Sequence, residues 1–240
     1  MPEALRKFDQ VLDITPDDLD TLGNKASIAQ AEGDLLRAAA LLAPLRPGAD
    51  SNVLGTQVYQ AILERRPAPV IPRLKEILAK PDPALGFSNG EMRFFLGWAQ
   101  EVAGDHSAAQ GSWRQARSEL ESLLKEQPEN EFLIDDLALN NMGLGDKVAA
   151  LALSERAIAA NPVEKDALTG PWSLEILARV AAQMGEPDRA IAALQKLLSI
   201  SYAGAFLAGP LTPALLRLDP MFDPLRNDPR FQKLCEEKPK

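Results

Sequence analysis

Apolar residues recur every three or four positions along most of this chain, with polar residues at the positions between them. Residues 3 to 13 already follow this pattern, and Pro16 comes soon after it. Nowhere does the pattern alternate with a period of two over the length of a strand. Together with abundant Ala, Leu, Glu and Gln, which favour helices, this periodicity predicts an all-α fold.

Four stretches share one arrangement, in which a helix ends at a glycine, an acidic residue follows and a second amphipathic helix begins. They are "AQAEGDLLRAAALLAPL", "QEVAGDHSAAQGSWRQA", "NMGLGDKVAALALSERAIAANP" and "AQMGEPDRAIAALQKLL". The glycines are Gly33, Gly104, Gly145 and Gly185, and glycine readily takes the positive φ that ends a helix. The residues after them are Asp34, Asp105, Asp146 and Glu186, whose negative charge suits the start of the next helix. We therefore expect antiparallel helix pairs joined by tight turns.

Each second helix carries a small residue, and one turn later it carries a residue at a position where the helices are expected to pack together. The small residues are Ala38, Ala109, Ala150 and Ala190, and the later ones are Leu42, Trp113, Ser154 and Leu194. This pattern resembles the tetratricopeptide repeat, a helical hairpin of about 34 residues. "ALRKFDQVLDITP" and "ALALSERAIAANP" match its second helix best. The resemblance implies a right-handed α-α superhelix of about five helix pairs with a C-terminal helical cap. The later small residues are spaced more widely than the family's period, so the array is degenerate.

The first helical stretch matches a second helix that lacks its first. We expect the chain to be cut from a longer protein, the alternative being that this helix caps the array. Residues 1–204 are predicted to form the array, and residues 205–240 a tail packed on the last repeat. A half-repeat leaves an apolar face open, so a homodimer through residues 3 to 16 is also predicted.

The tail contains the most distinctive string of the chain, "LTPALLRLDPMFDPLRNDPRFQKL", with Asp-Pro at 219, 223 and 228. Asp before Pro favours a turn, with Pro at the first position of a helix. This spacing predicts short helices that cover the open edge of the array. The string also resembles the C-terminal end of bacterial multidomain signalling proteins, in which a kinase, cyclase or winged-helix domain precedes tetratricopeptide repeats.

Charge and composition exclude several partners. The net charge is −8, and basic residues are interleaved with acidic ones rather than clustered. Nucleic acid is therefore not an expected partner, because phosphate binding needs a basic face. No apolar run approaches the length that spans a membrane. The single cysteine cannot form an internal disulfide, so we expect a cytoplasmic location.

Catalytic motifs are missing from the sequence. His106 is the one histidine and stands at the start of a helix, without Cys or His neighbours that would bind a metal with it. Cys235 lies near the end of the chain, and no glycine-rich nucleotide loop occurs. We expect no enzyme, cofactor or metal; an enzyme that uses carboxylates alone is the least favoured hypothesis.

In tetratricopeptide proteins the first helices line a concave groove. The resemblance places Ser27 and Thr56 there, together with the main candidates for peptide binding. These are Asn24, Gln60, Phe94, Trp98, Glu101, Asp135, Leu139, Trp172, Glu175 and Arg179. Phe94 and Trp98 could equally pack as core against the neighbouring helix. The partner is expected to be a protein or peptide with apolar and basic side chains.

The predicted function is a non-catalytic scaffold for protein or peptide binding, as the C-terminal module of a larger bacterial signalling or regulatory protein. The alternative is a free-standing adaptor or an oligomerisation module.

Overall fold

The computed structural model describes residues 2–48, 52–206 and 209–236. These residues form α-helices, short 3₁₀ segments and connections, without a strand. An array of helices comes first: α1 (Pro2–Ile14), α2 (Leu19–Glu32), α3 (Leu35–Leu42), α4 (Asn52–Leu63), α5 (Ile71–Ala79), α6 (Ser88–Val102), α7 (His106–Glu126), α8 (Glu131–Gly143), α9 (Lys147–Ala160), α10 (Gly170–Gln183) and α11 (Pro187–Leu198). The tail adds α12 (Pro213–Leu218), a 3₁₀ segment (Pro220–Leu225) and α13 (Pro229–Glu236). The all-α prediction is confirmed.

The four predicted joints have the expected geometry. Their glycines lie at φ 81°, 84°, 77° and 73°. At the first three joints the aspartate side chain accepts a hydrogen bond from the backbone N–H three residues later. At the fourth joint Glu186 makes no such cap and instead pairs with Lys147 at 2.5 Å. Local sequence therefore determines where each of these helix pairs turns.

The joint between α4 and α5 is built differently, because it lacks glycine. Arg65 takes φ 58° there, a conformation that residues with a Cβ adopt infrequently. Its guanidinium donates two hydrogen bonds to Asp223 of the tail, at 2.7 and 2.8 Å. Arg65 of this turn thus links the array to the tail through its side chain.

The helix pairs stack in sequence. The first helices contact one another in the order α2, α4, α6, α8 and α10. Helices α3, α7, α9 and α11 each pack on the first helix of their own pair, whereas α5 packs mainly on α6. The four small residues that the sequence singles out have no exposed surface, which lets the paired helices approach closely. The result is a solenoid-like succession of five antiparallel helix pairs preceded by α1.

Two glycines make room for one tryptophan. Trp113 of α7 lies between Gly97 of α6 and Gly143 of α8, and a Cβ added at either glycine would come within 2.4 Å of its indole ring. The indole Nε1 donates to the carbonyl oxygen of Phe94 at 3.3 Å. Close packing of α6, α7 and α8 therefore requires glycine at both positions.

We expect Gly97→Ala to destabilise the protein by about 2 kcal/mol, because overpacking costs more than the improved helix propensity returns. Gly111→Ala is the matched control, since nothing lies within 4 Å of its Cβ position. The control should gain up to about 1 kcal/mol from helix propensity. Urea unfolding of both variants measures the difference, and equal stabilities would contradict the packing argument.

The tail runs back along the first helices. Helix α13 contacts α11 of the last pair, and the 3₁₀ segment packs on α10. Helix α12 packs on α2 of the first pair, and the Thr212 hydroxyl donates to the carbonyl oxygen of Ala31 at 2.5 Å. The tail thus contacts the last helix pair and in addition links it to the first.

Of the described elements, only α2 makes substantial contacts with helix α1. Val11 and Ile14 remain exposed on it, the latter at 84%. The homodimer expected through residues 3 to 16 stays a prediction.

Candidate functional site

The structure buries most of the residues predicted to line a groove. Seven of the ten are core or near-core: Gln60, Phe94, Trp98, Asp135, Leu139, Glu175 and Arg179. Asn24, Glu101 and Trp172 remain half-buried. The first helices do face a common interior, but the tail fills much of it. Peptide binding by the seven buried residues stays a prediction, and their contacts here are intramolecular.

Phe206 of the tail sits among the aromatic residues of the first helices. Its ring centroid lies 5.6 Å from that of Phe95, 5.7 Å from Trp98 and 6.2 Å from Tyr59. Such spacings are those of favourable aromatic pairs. The aromatic patch expected to receive a partner is therefore occupied by this chain's own residue.

Arg179 is the centre of a buried ionic network. Its guanidinium donates to Glu175 Oε1 at 2.8 Å and also to Asp219 Oδ2 of the tail. Tyr59 donates its hydroxyl to the same Asp219 oxygen at 2.5 Å, and Tyr202 donates to Glu175 Oε2 at 3.0 Å. Arg179, Glu175 and Asp219 are each at most 2% exposed. The network ties α4 and α10 to the tail.

Titration of this network follows from its burial. Burial raises the pKa of the Tyr59 phenol, and the negative charge of Asp219 raises it further. Burial and Glu175 act in the same way on the pKa of Tyr202. Burial disfavours the Arg179 cation, but the charges of Asp219, Tyr59 and Glu175 outweigh it and raise its pKa. The hydroxyl groups therefore stay protonated as donors, and the guanidinium stays charged.

One part of the first-helix row is left open as a cavity of about 340 Å³, which we call the first-helix cavity. Residues 203–206 of the tail form one wall. Its polar side chains come from α2, α4 and α6: Asn24, Ser27, Asn52, Thr56, Ser88 and Glu91. Its aromatic side chains are Phe95, Trp172 and Phe206. Pockets for small ligands range from about 300 to 1,000 Å³, so the space suits one or two side chains of a partner.

Three carboxyl groups interact in a series that begins at this cavity. Glu91 lines the cavity, and its charge acts on Asp136 of α8, which also interacts with the adjacent Asp135. Burial raises the pKa of Glu91, and burial together with the charges of Glu91 and Asp135 raises that of Asp136. Burial also raises the pKa of Asp135 from 3.8 to about 7, although the Ser173 hydroxyl donates to its Oδ2 at 2.7 Å.

Several polar atoms in this region have no partner. Among the described residues, Asp135 Oδ1, Asp136 Oδ2 and the Trp172 Nε1–H are buried without a hydrogen bond. The carboxyl group of Glu91 likewise has no hydrogen bond or ion pair with a described residue. Such groups are uncommon in folded proteins and each calls for a physical reason.

No protein-family model, curated protein or solved structure matches this chain. The fold joins two of the predicted residues, Asn24 and Trp172, at one cavity, although they are far apart in sequence.

Glu101 lies elsewhere, at the C-terminal end of α6. Its Oε1 is 2.8 Å from His106 Nδ1, and this hydrogen bond raises the pKa of the exposed histidine. Cys235 is buried, which raises the pKa of its thiol. Within the described ranges, no three His, Cys, Asp or Glu side chains could hold a metal ion. None of the described helices has the length and apolar character needed to cross a bilayer.

Sequence reasoning missed several cavity residues, of which Glu91 is the charged one. It lies one turn before Phe94 on α6, so it shares a helix face with a residue that was singled out. The predicted groove-facing surface of α6 reaches Glu91 when it is extended by one turn toward the N-terminus of the helix. Ser27 and Thr56, which the sequence did place on the first-helix row, line the same cavity.

Proposed function

We propose that this protein is a non-catalytic scaffold that binds a segment of another protein in the first-helix cavity. The carrying observation is that polar side chains from α2, α4 and α6 and an indole from α10 converge on a space that the chain itself leaves open. Residues at the centre of a protein–protein interface are often aromatic. Trp172, which lines the cavity and is half-buried, is such an aromatic residue.

We further propose that the helix pairs are degenerate tetratricopeptide repeats in a right-handed superhelix. The positive-φ glycines, the capping aspartates and the fully buried small residues support this proposal. The string of Asp-Pro repeats supports a place at the C-terminal end of a larger bacterial signalling protein, with a free-standing adaptor as the alternative. An antibody to this segment, used on source cells, distinguishes the two by the mass of the native protein.

Filling the cavity tests peptide binding directly. Gly55 lines the cavity, and a Cβ placed on it meets nothing within 4 Å. Gly55→Trp should therefore occupy the space without disturbing the fold. Gly111→Trp is the matched control, because Gly111 is an exposed helical glycine with equally free surroundings on α7.

Peptides would be selected from a random library against the wild-type protein, then synthesised and titrated by fluorescence anisotropy. We expect Gly55→Trp to weaken their binding by about tenfold or more, equivalent to about 1.4 kcal/mol, while Gly111→Trp binds as the wild type does. Equal binding to all three proteins, or a selection that yields no binding peptide, would overturn the proposed function.

A further inference from the structure

Among the described residues that line the first-helix cavity, Glu91 is the only acidic or basic side chain. Arg179 lies over the ring of Phe206 in the cavity wall, but it is fully engaged by Glu175 and Asp219. The lining therefore offers a carboxyl group that lacks a counter-charge from the described residues.

Two further carboxyl groups interact with Glu91 in series. Asp136 interacts electrostatically with Glu91, and Asp135 interacts with Asp136. Asp135 is only 7% exposed, yet its Oδ1 accepts no hydrogen bond. Placing three carboxyl groups together in a buried region is unfavourable unless a cation or protons compensate them. A cation bound at Glu91 would favour their ionised forms.

The remaining lining suits the stem and head of a long basic side chain. Ser27 and Thr56 are nine-tenths or more buried and present hydroxyl oxygens, which can accept hydrogen bonds from a cationic group. Ser27 Oγ is 3.4 Å from Thr56 Oγ1, a distance that leaves acceptor capacity on both. Phe95 and Trp172 supply aromatic surface, which attracts both an alkyl stem and a cation.

We infer that the first-helix cavity receives a basic side chain of the partner, an arginine guanidinium or a lysine ammonium, with Glu91 as its direct counter-ion. This inference rests on the proposed peptide-binding function and gives the chemistry of the bound residue. Asp135 and Asp136 do not touch the ligand, since their unpaired oxygens are enclosed.

Nα-acetyl-argininamide is the test probe, and Nα-acetyl-citrullinamide is its neutral counterpart of nearly the same shape. Calorimetric titration of the wild-type protein should show the arginine compound binding at least about tenfold more tightly. Glu91→Gln keeps the side-chain length and should abolish this preference. Glu121→Gln is the control, because Glu121 is an exposed residue of α7 that lies outside the cavity and pairs with Arg117.

Equal affinity of the wild type for the two compounds, or no binding of the arginine compound, overturns the inference, and neither result requires the variants to fold. A preference that persists in Glu91→Gln overturns it as well. Selected peptides that depend on the cavity but carry no Arg or Lys would overturn this inference and leave the proposed function intact. Peptides that ignore Gly55→Trp would remove the proposed function itself, so the two failures are distinguishable.

Discussion

Replacing Arg179 by methionine is expected to destabilise the protein by about 3–5 kcal/mol, the cost of breaking a buried ion pair. The change leaves Glu175 and Asp219 in the interior without their shared cation, while Met fills much of the same volume. Both carboxylates are at most 2% exposed, so water cannot replace the guanidinium. Denaturant unfolding at neutral pH measures the loss.

Arg230→Met is the matched control for this prediction. Arg230 also bridges two carboxylates, Asp188 at 2.7 Å and Asp228 at 2.7 Å, but its side chain is 51% exposed. Exposed pairs contribute at most about 1 kcal/mol, so this variant should unfold close to the wild type. If the two variants were equally stable, the Arg179 network would not be what holds the tail to α4 and α10. A partial recovery in the double variant Arg179→Met/Asp219→Asn would confirm the coupling, since it removes one of the stranded charges.

The second large effect is a dependence of stability on pH at Asp135. Its pKa is about 7 in the folded protein against 3.8 in the unfolded chain. Because the folded state holds the proton more tightly, this stabilising contribution is complete below pH 3.8 and is lost as the pH rises to about 7. The loss amounts to about 4 kcal/mol at most. Asp135→Asn, which is neutral at every pH, should therefore gain stability relative to the wild type between pH 4 and pH 8.

Asp228→Asn provides a control of opposite sign. Hydrogen bonds from Arg230 lower the pKa of Asp228, so the stability that this carboxylate contributes is present at neutral pH and lost as the pH falls. Chemical unfolding of the wild type and both variants from about pH 2 to pH 8 separates the two cases, because the contribution of Asp228 is lost only below its unfolded pKa of 3.8. A stability difference between Asp135→Asn and the wild type that does not change with pH would mean that Asp135 titrates normally in the fold.

The turns within helix pairs are predictable from sequence where a few adjacent residues determine the backbone conformation. Gly104 and Asp105 illustrate this, since a positive φ and an N-terminal cap are properties of a few adjacent residues. The turn at Arg65 lacks these signals, and its geometry is accompanied by an ion pair with Asp223, a residue far along the chain. No local pattern reveals such a contact.

Asp219, Asp223 and Asp228 show the same division within the tail. Their identical Asp-Pro context predicts turns, and all three precede a proline that begins or continues a short helix. Their environments nevertheless differ, because Asp219 is fully buried against Arg179 while Asp228 faces Arg230 near the surface. Only the path of the tail over the first helices distinguishes them.

By itself the sequence determined the all-α class, the order of the helix pairs and the small residues at which they touch, because helical periodicity and turn chemistry act over a few residues. It also placed Asn24, Ser27, Thr56 and Trp172 on the row of first helices. Only the tertiary structure decided that Phe206 and Asp219 fill most of that row and that an open cavity remains beside Glu91. These outcomes depend on contacts between residues more than a hundred positions apart, which burial and charge pairing select only once the chain has folded.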